Sequence, residues 1–223
     1  MSSNICENLK EIKQKISPEI HLVAVSKTKP VEAILEAYHC GQRDFGENKV
    51  QEMRDKQAVL PEDINWHLIG HLQRNKVKYI APYVYLIHSV DNMKLLKEIN
   101  KQAIKNHRTI PVLLQIKIAK EDTKYGMSFE EAEKLLHSTE IDELSNVEIK
   151  GLMGMATNTP DENIRKNEFH SLKLFFDKLK KDFPSFSYLS MGMSGDYPIA
   201  IKEGSNMIRV GSKIFGERNY SAK

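Results

Sequence analysis

Eight runs of aliphatic and β-branched residues recur along the chain, beginning near residues 21, 43, 65, 84, 110, 147, 187 and 206. Between consecutive runs lie stretches that can carry a helix. Eight strands alternating with helices is the number that closes a parallel barrel, so the pattern predicts an α/β fold of the (β/α)8 TIM-barrel type. An additional N-terminal helix precedes the first run, with Ile5, Leu9, Ile12 and Ile16 at helical spacing, Ser2 or Ser3 as its cap and Ser17-Pro18 as its end. The alternative, an open doubly wound sheet, calls for a Gly-x-Gly-x-x-Gly turn after the first strand, and this chain has none. No low-complexity linker interrupts the 223 residues, which are expected to form one domain, 1–223.

Local signals place the helices. Pro30 is expected to open a helix that runs to Cys40, with Ala33, Ile34 and Ala37 inward and Gly41 just past its end. Further helices are expected over 50–60, 73–80, 92–106, 128–137, 161–181 and 198–203. That beginning at Ser128 has Glu131 three residues on, the pattern of a capping box.

Charge narrows the function. With 33 basic and 30 acidic residues the net charge is +3, too little to argue for nucleic acid or an anionic membrane. No uninterrupted apolar stretch has a membrane-spanning length, and the polar N-terminus does not read as a signal peptide. Cys6 and Cys40 have no metal-ligand or redox spacing, and a core of this size needs no disulfide, so a reducing, cytoplasmic setting is expected. The chain has 26 lysines and seven arginines, which makes an arginine inside an apolar run the more informative residue.

Two such cations stand out. Lys27 ends the first apolar run, and strand alternation puts it on the same face as Val23 and Val25, where its ammonium is partly desolvated. An ordinary lysine, with a pKa of about 10.4, is neutral in roughly one molecule in 2500 at pH 7; a partly desolvated one is a better nucleophile toward a carbonyl. Arg209 lies within Met207-Ile-Arg-Val-Gly211, a run that otherwise reads as a buried strand. Its charge calls either for an ion pair, with Asp44 or Glu47, or for a ligand at the barrel mouth. Closure brings the eighth strand beside the first, and so Arg209 toward Lys27.

Active sites of such barrels are built from the C-terminal strand ends, and the loops after the seventh and eighth strands commonly hold phosphate. Here those loops read Ser194-Gly195 and Gly211-Ser212, small residues with hydroxyls that let an anion approach the backbone. Lysine, arginine and a phosphate cradle together suit an aldehyde-bearing phosphate ester. Other readings are weaker. His67 and His71 lack helical spacing for a metal pair, Tyr79, Tyr83 and Tyr85 read as packing rather than base-stacking residues, and Lys117 and Lys150 compete with Lys27 only if the protein is a cofactor-free class I aldolase.

Val25-Ser-Lys-Thr-Lys-Pro30, Asp44-Phe-Gly-Glu-Asn48, Trp66-His-Leu-Ile-Gly-His-Leu-Gln73, Gly151-Leu-Met-Gly-Met155, Leu189-Ser-Met-Gly-Met-Ser194 and Met207-Ile-Arg-Val-Gly-Ser-Lys-Ile-Phe-Gly216 occur in order along nearly the whole chain. This set resembles the signatures of the pyridoxal phosphate homeostasis protein family, barrels similar to the N-terminal domain of bacterial alanine racemases. The resemblance implies that Lys27 holds pyridoxal 5'-phosphate as an aldimine and that Ser194, Gly211 and Ser212 hold its phosphate. It further implies that Arg209 faces the pyridine nitrogen and that Asn48 and Met153 to Met155 line the ring. The implied role is binding and intracellular homeostasis of the cofactor, as a monomer that serves PLP-dependent apo-enzymes, without catalytic turnover. An arginine opposite the ring nitrogen makes the cofactor a poor electron sink. Racemases of this type draw their opposing tyrosine from a second domain, and only twelve residues follow Gly211 here. A PLP-dependent racemase-like enzyme is the alternative.

Overall fold

A computed structural model describes residues 4–121 and 125–217; Ser2 and Ser3, the expected caps, lie outside the described residues. Eight parallel strands close into a barrel in sequence order: β1 (His21–Val25), β2 (Asp44–Glu47), β3 (Asn65–Leu68), β4 (Leu86–Val90), β5 (Ile110–Ile116), β6 (Val147–Gly154), β7 (Tyr188–Met193) and β8 (Met207–Val210). The seam is β1 on β8, in a register that sets Val23 opposite Arg209 and Ala24 opposite Val210.

The additional helix is α1 (Ile5–Gln14), capped by Asn4, whose side chain accepts from the Glu7 amide. Around the barrel follow α2 (Val31–His39), α3 (Val50–Gln57), α4 (Val77–Ile80), α5 (Met93–Lys105), α6 (Phe129–Leu136), α7 (Thr139–Asp142), α8 (Glu162–Asp182), α9 (Tyr197–Lys202) and α10 (Ser212–Phe215). The capping box at Ser128 and Glu131 is formed in both directions. Pro30 is the residue before α2 rather than its first, and the expected helix over 73–80 is a 3-10 turn, Arg74–Lys76, leading into one α-turn. The short α7 and α10 carry too few residues to show a period, which is why the sequence reading passed over them.

Alternation along the strands sorts side chains into two cores. Leu22, Ala24, Phe45, Trp66, Leu68, Val112, Leu114 and Ile208 face outward into the layer beneath the helices. Val23, Leu86, Leu113, Met153 and Met207 face inward and fill the middle of the barrel. Interior layers contributed by different strands are the usual way such a barrel is plugged. The expectation of two free thiols is overturned: Cys6 of α1 and Cys40, which ends α2, form a disulfide with Cα atoms 5.6 Å apart. The residues are 34 apart in sequence and meet because α1 packs on α2, a contact that spacing alone does not reveal.

Candidate cofactor site at the barrel mouth

At the C-terminal ends of the strands lies a cavity of about 610 Å³ lined by Lys27, Asn48, Met155, Ser194, Arg209, Gly211 and Ser212, whereas Met153, expected beside Met155, is not at the cavity and fills the barrel interior instead. Ile69, His71, Gln115 and Tyr125 complete much of the wall. Neither Lys117 nor Lys150 is among the lining residues, and Lys150 pairs with Glu148 instead.

Lys27 sits two residues past the end of β1, half-buried, between two anchored neighbours. Lys56 of α3 donates through Nζ to the Ser26 carbonyl (2.8 Å), to Glu47 Oε1 (2.8 Å) and to Glu52 Oε1 (2.7 Å). The Ser26 hydroxyl donates to the same Glu47 oxygen (2.6 Å), and the Thr28 amide donates to Glu52 Oε1 (2.5 Å). Thr28 is held at φ +63°, a left-handed conformation unusual for a side chain branched at Cβ. The residues on either side of Lys27 are thus tied to α3, while the lysine itself faces the cavity. Burial raises the Glu47 carboxyl above its ordinary range despite Lys56, and its second oxygen has no partner.

Arg209 is almost fully buried yet reaches the cavity. Neither carboxylate expected from the sequence pairs with it: Glu47 faces outward to Lys56, and Asp44 is bound to His67. Instead Nη1 donates to Ser190 Oγ (2.6 Å) and Nη2 to the Gly154 carbonyl (3.1 Å). Burial lowers its pKa to about 10, a pull only partly opposed by Asp196, so it is still cationic at neutral pH. Beside it, the Gly211 amide donates to Ser194 Oγ (3.1 Å), joining the loops after β7 and β8. A Cβ at Gly211 would press on the Val25 carbonyl oxygen at 3.2 Å, whereas one at Gly195 would meet nothing, so the cradle is open on that side. Across the mouth, a Cβ at Gly70 would lie 2.3 Å from the Asn48 carbonyl oxygen. Only glycine lets the loops after β2 and β3 touch there.

Below the mouth, a polar chain crosses the interior. Asp44 Oδ1 lies 2.9 Å from His67 Nε2, His67 Nδ1 lies 2.9 Å from His88 Nε2, and His88 Nδ1 lies 3.0 Å from Ser190 Oγ. Sequence reading missed this chain, having weighed His67 only against His71. The two part company in the structure: His67 is inside the barrel, while His71 stands at the rim, its ring stacked on Tyr125 and 3.8 Å from Asp91. The signal that would have found the chain is strand parity, because Trp66 and Leu68 outward force His67 inward, and Ile87 outward does the same for His88.

Burial, reinforced by His67 and Arg209, holds the His88 pKa well below 6.5. The unfolded chain therefore binds a proton near pH 6.5 that the folded chain refuses, and the stability His88 contributes is present above that pH and lost as pH falls below it. Unfolding free energy is expected to drop between about pH 6.5 and 5 with an added slope approaching one proton, about 1.4 kcal/mol per pH unit. Denaturant titrations across that range should show the slope reduced in His88→Gln; an identical pH dependence in both proteins would contradict the assignment.

Comparison with known proteins gives a consistent picture. The family model described as "Alanine racemase, N-terminal domain" matches residues 2–219. A Pyridoxal phosphate homeostasis protein of Vibrio alginolyticus is 39% identical over 98% of this chain and 100% of its own length. PipY of Synechococcus elongatus has been solved without PLP (TM-score 0.89, 37% identity, 95% of this chain and 100% of that one) and with PLP bound (TM-score 0.85, 36% identity, with the same coverage). An alanine racemase of Clostridium difficile shares the fold at 16% identity and a TM-score of 0.79, with 60% of that chain covered. By sequence along almost its entire length and by architecture, the chain belongs to the alanine racemase N-terminal domain family and, within it, to the pyridoxal phosphate homeostasis proteins.

Proposed function

We propose that this protein binds pyridoxal 5'-phosphate at the barrel mouth, covalently through Lys27, and serves its intracellular homeostasis without catalytic turnover. The observation that carries the reading is the convergence, in a single cavity, of Lys27, one guanidinium and two Ser-Gly loops, the second lining amine, Lys29, being turned to the carbonyls of Phe215 and Gly216. Its volume, about 610 Å³, lies within the roughly 300–1,000 Å³ usual for small-molecule sites. The residues fit the group. When bound, pyridoxal phosphate supplies an aldehyde that condenses with a primary amine.

Lys27 provides that amine from an anchored turn. Ser194, Gly211 and Ser212 offer two hydroxyls and exposed backbone to a phosphate, with Asn48 and Met155 along the ring. Arg209 remains protonated, so at a ring nitrogen it acts as a donor and that nitrogen stays without a proton, which withholds the electron sink that transamination needs. Ser212 and Gly195 are exposed, so the phosphate end is reachable from solvent, an arrangement suited to release toward PLP-dependent apo-enzymes. Among the described residues no helix is long and apolar enough to cross a membrane, and we take the setting to be the cytoplasm and the working form to be a monomer, one domain spanning 1–223.

One observation favours the racemase-like alternative: Tyr125 and His71 line the cavity together with Lys27 and offer a second acid–base group. A single experiment addresses both readings. The purified protein incubated with pyridoxal phosphate is expected to develop a visible absorbance band, and borohydride reduction with peptide mapping should place the label on Lys27. The loaded protein in deuterated water should leave the α-proton of L-alanine unexchanged. Label on another lysine would refute the binding site, and rapid exchange would refute the non-catalytic role.

A further inference from the structure

With both histidines neutral, the hydrogen-bond chain below the mouth has one self-consistent direction. A guanidinium can only donate, so Ser190 Oγ accepts from Arg209 Nη1 at 2.6 Å. The single hydroxyl proton of Ser190 then goes to His88 Nδ1 at 3.0 Å, which fixes neutral His88 as the Nε2–H tautomer. That proton points at His67 Nδ1, 2.9 Å away, so His67 in turn carries its proton on Nε2, facing the Asp44 carboxylate at 2.9 Å. Each donor meets one acceptor from the cation to the anion. Reversed, a neutral His67 would set a bare nitrogen against a carboxylate, and Ser190 would accept twice with its own proton unplaced.

The chain lies among Val23, Leu86, Leu113, Met153 and Met207, an apolar layer in which a partly satisfied polar group would be costly. His67, His88 and Ser190 are all buried to within 1%. Among the described residues no carboxylate is a hydrogen-bond partner of Arg209; the acceptors for its two Nη atoms are Ser190 Oγ and the Gly154 carbonyl, which together fix the plane of the guanidinium.

We propose that Ser190, His88 and His67 are positioning residues for Arg209, a one-way hydrogen-bond chain, anchored on Asp44 at the N-terminal end of β2, that sets the guanidinium for a ligand's ring nitrogen. This rests on the pyridoxal phosphate reading of the cavity. The ligand contacts none of the three directly; their effect passes through Arg209.

Two measurements test it. The first uses the ¹⁵N-labelled protein alone: long-range imidazole correlations at pH 7.5 should identify both His67 and His88 as Nε2–H tautomers. A Nδ1–H tautomer or an imidazolium at either histidine overturns the direction of the chain. The second is a cycle of Ser190→Ala, Arg209→Gln and the double variant, read as the Kd for pyridoxal phosphate and the position of the bound band. Ser190→Ala alone is expected to shift the band and weaken binding roughly two- to tenfold, the range of one neutral hydrogen bond. In the Arg209→Gln background it should change Kd by less than about twofold, because residues acting through one group do not add. Equal effects of Ser190→Ala in both backgrounds, or none in either, overturn the inference while the binding reading stands. Failure of the wild-type protein to form a Lys27-dependent band overturns the binding reading instead, and the ligand half of this inference with it.

Discussion

Lys27→Ala is expected to abolish covalent capture completely: no visible band, and no borohydride-trapped label on any peptide. The reason is geometric, since neither Lys117 nor Lys150 lines the cavity, and Lys29, which does, is engaged elsewhere. Stability should change little. Lys27 is half-buried beyond the end of β1, and the turn that carries it is held through the Ser26 carbonyl and the Thr28 amide, neither of which the substitution touches. Residual, non-covalent retention is expected through Ser194, Gly211, Ser212 and Arg209, detectable by equilibrium dialysis. An unchanged band in Lys27→Ala would remove the central claim about this site.

Lys56→Met is expected to produce the largest loss of stability of any single change near the mouth. Glu47 is fully buried and Lys56 nearly so, with side-chain exposures of 0% and 8%. Removing the ammonium strands a carboxylate in the layer between sheet and α3, and breaking such a pair costs about 3–5 kcal/mol. For a chain of this length that corresponds to a fall of roughly 6–20 °C in Tm. Replacing both partners, Glu47→Leu with Lys56→Met, should recover at least about half of the loss, because an apolar pair of similar volume leaves no buried charge. A single variant as stable as the parent would mean that Glu47 takes up a proton at little cost. The same substitution should also slow capture by Lys27, since Ser26 loses the donor that fixes its carbonyl.

The barrel was legible because closure follows from counting, and each strand announces itself by an aliphatic run between breakers. The mouth was legible for a related reason: once strand order and parity are known, Lys27, Asn48, Met155, Ser194, Arg209, Gly211 and Ser212 all fall at C-terminal strand ends, and the structure brings all of them to one cavity. What escaped were the partners. Asp44 and Glu47 were the carboxylates weighed as partners for Arg209, against a ligand at the mouth, but those two residues differ in parity from each other. Asp44 turns inward to His67, and Glu47 turns outward to Lys56, a residue no mouth-focused reading would inspect. Arg209 is satisfied instead by a hydroxyl and a carbonyl from β7 and β6, whose vertical offset depends on register shifts, including those between Val112 and Leu113 and between Ser190 and Met193. Such shifts have no sequence signature. The Cys6–Cys40 disulfide escaped for the same reason as the ion pair, because it depends on how one helix leans on another.

Lys29, two residues beyond Lys27, donates through Nζ to the carbonyls of Phe215, Gly216 and Glu217 where α10 ends. It therefore clasps the seam where the cylinder shuts, joining the turn after the first strand to the turn after the last. A molecule held as proposed, by Lys27 at one end and the final loops at the other, would be gripped by two jaws that share this single ammonium.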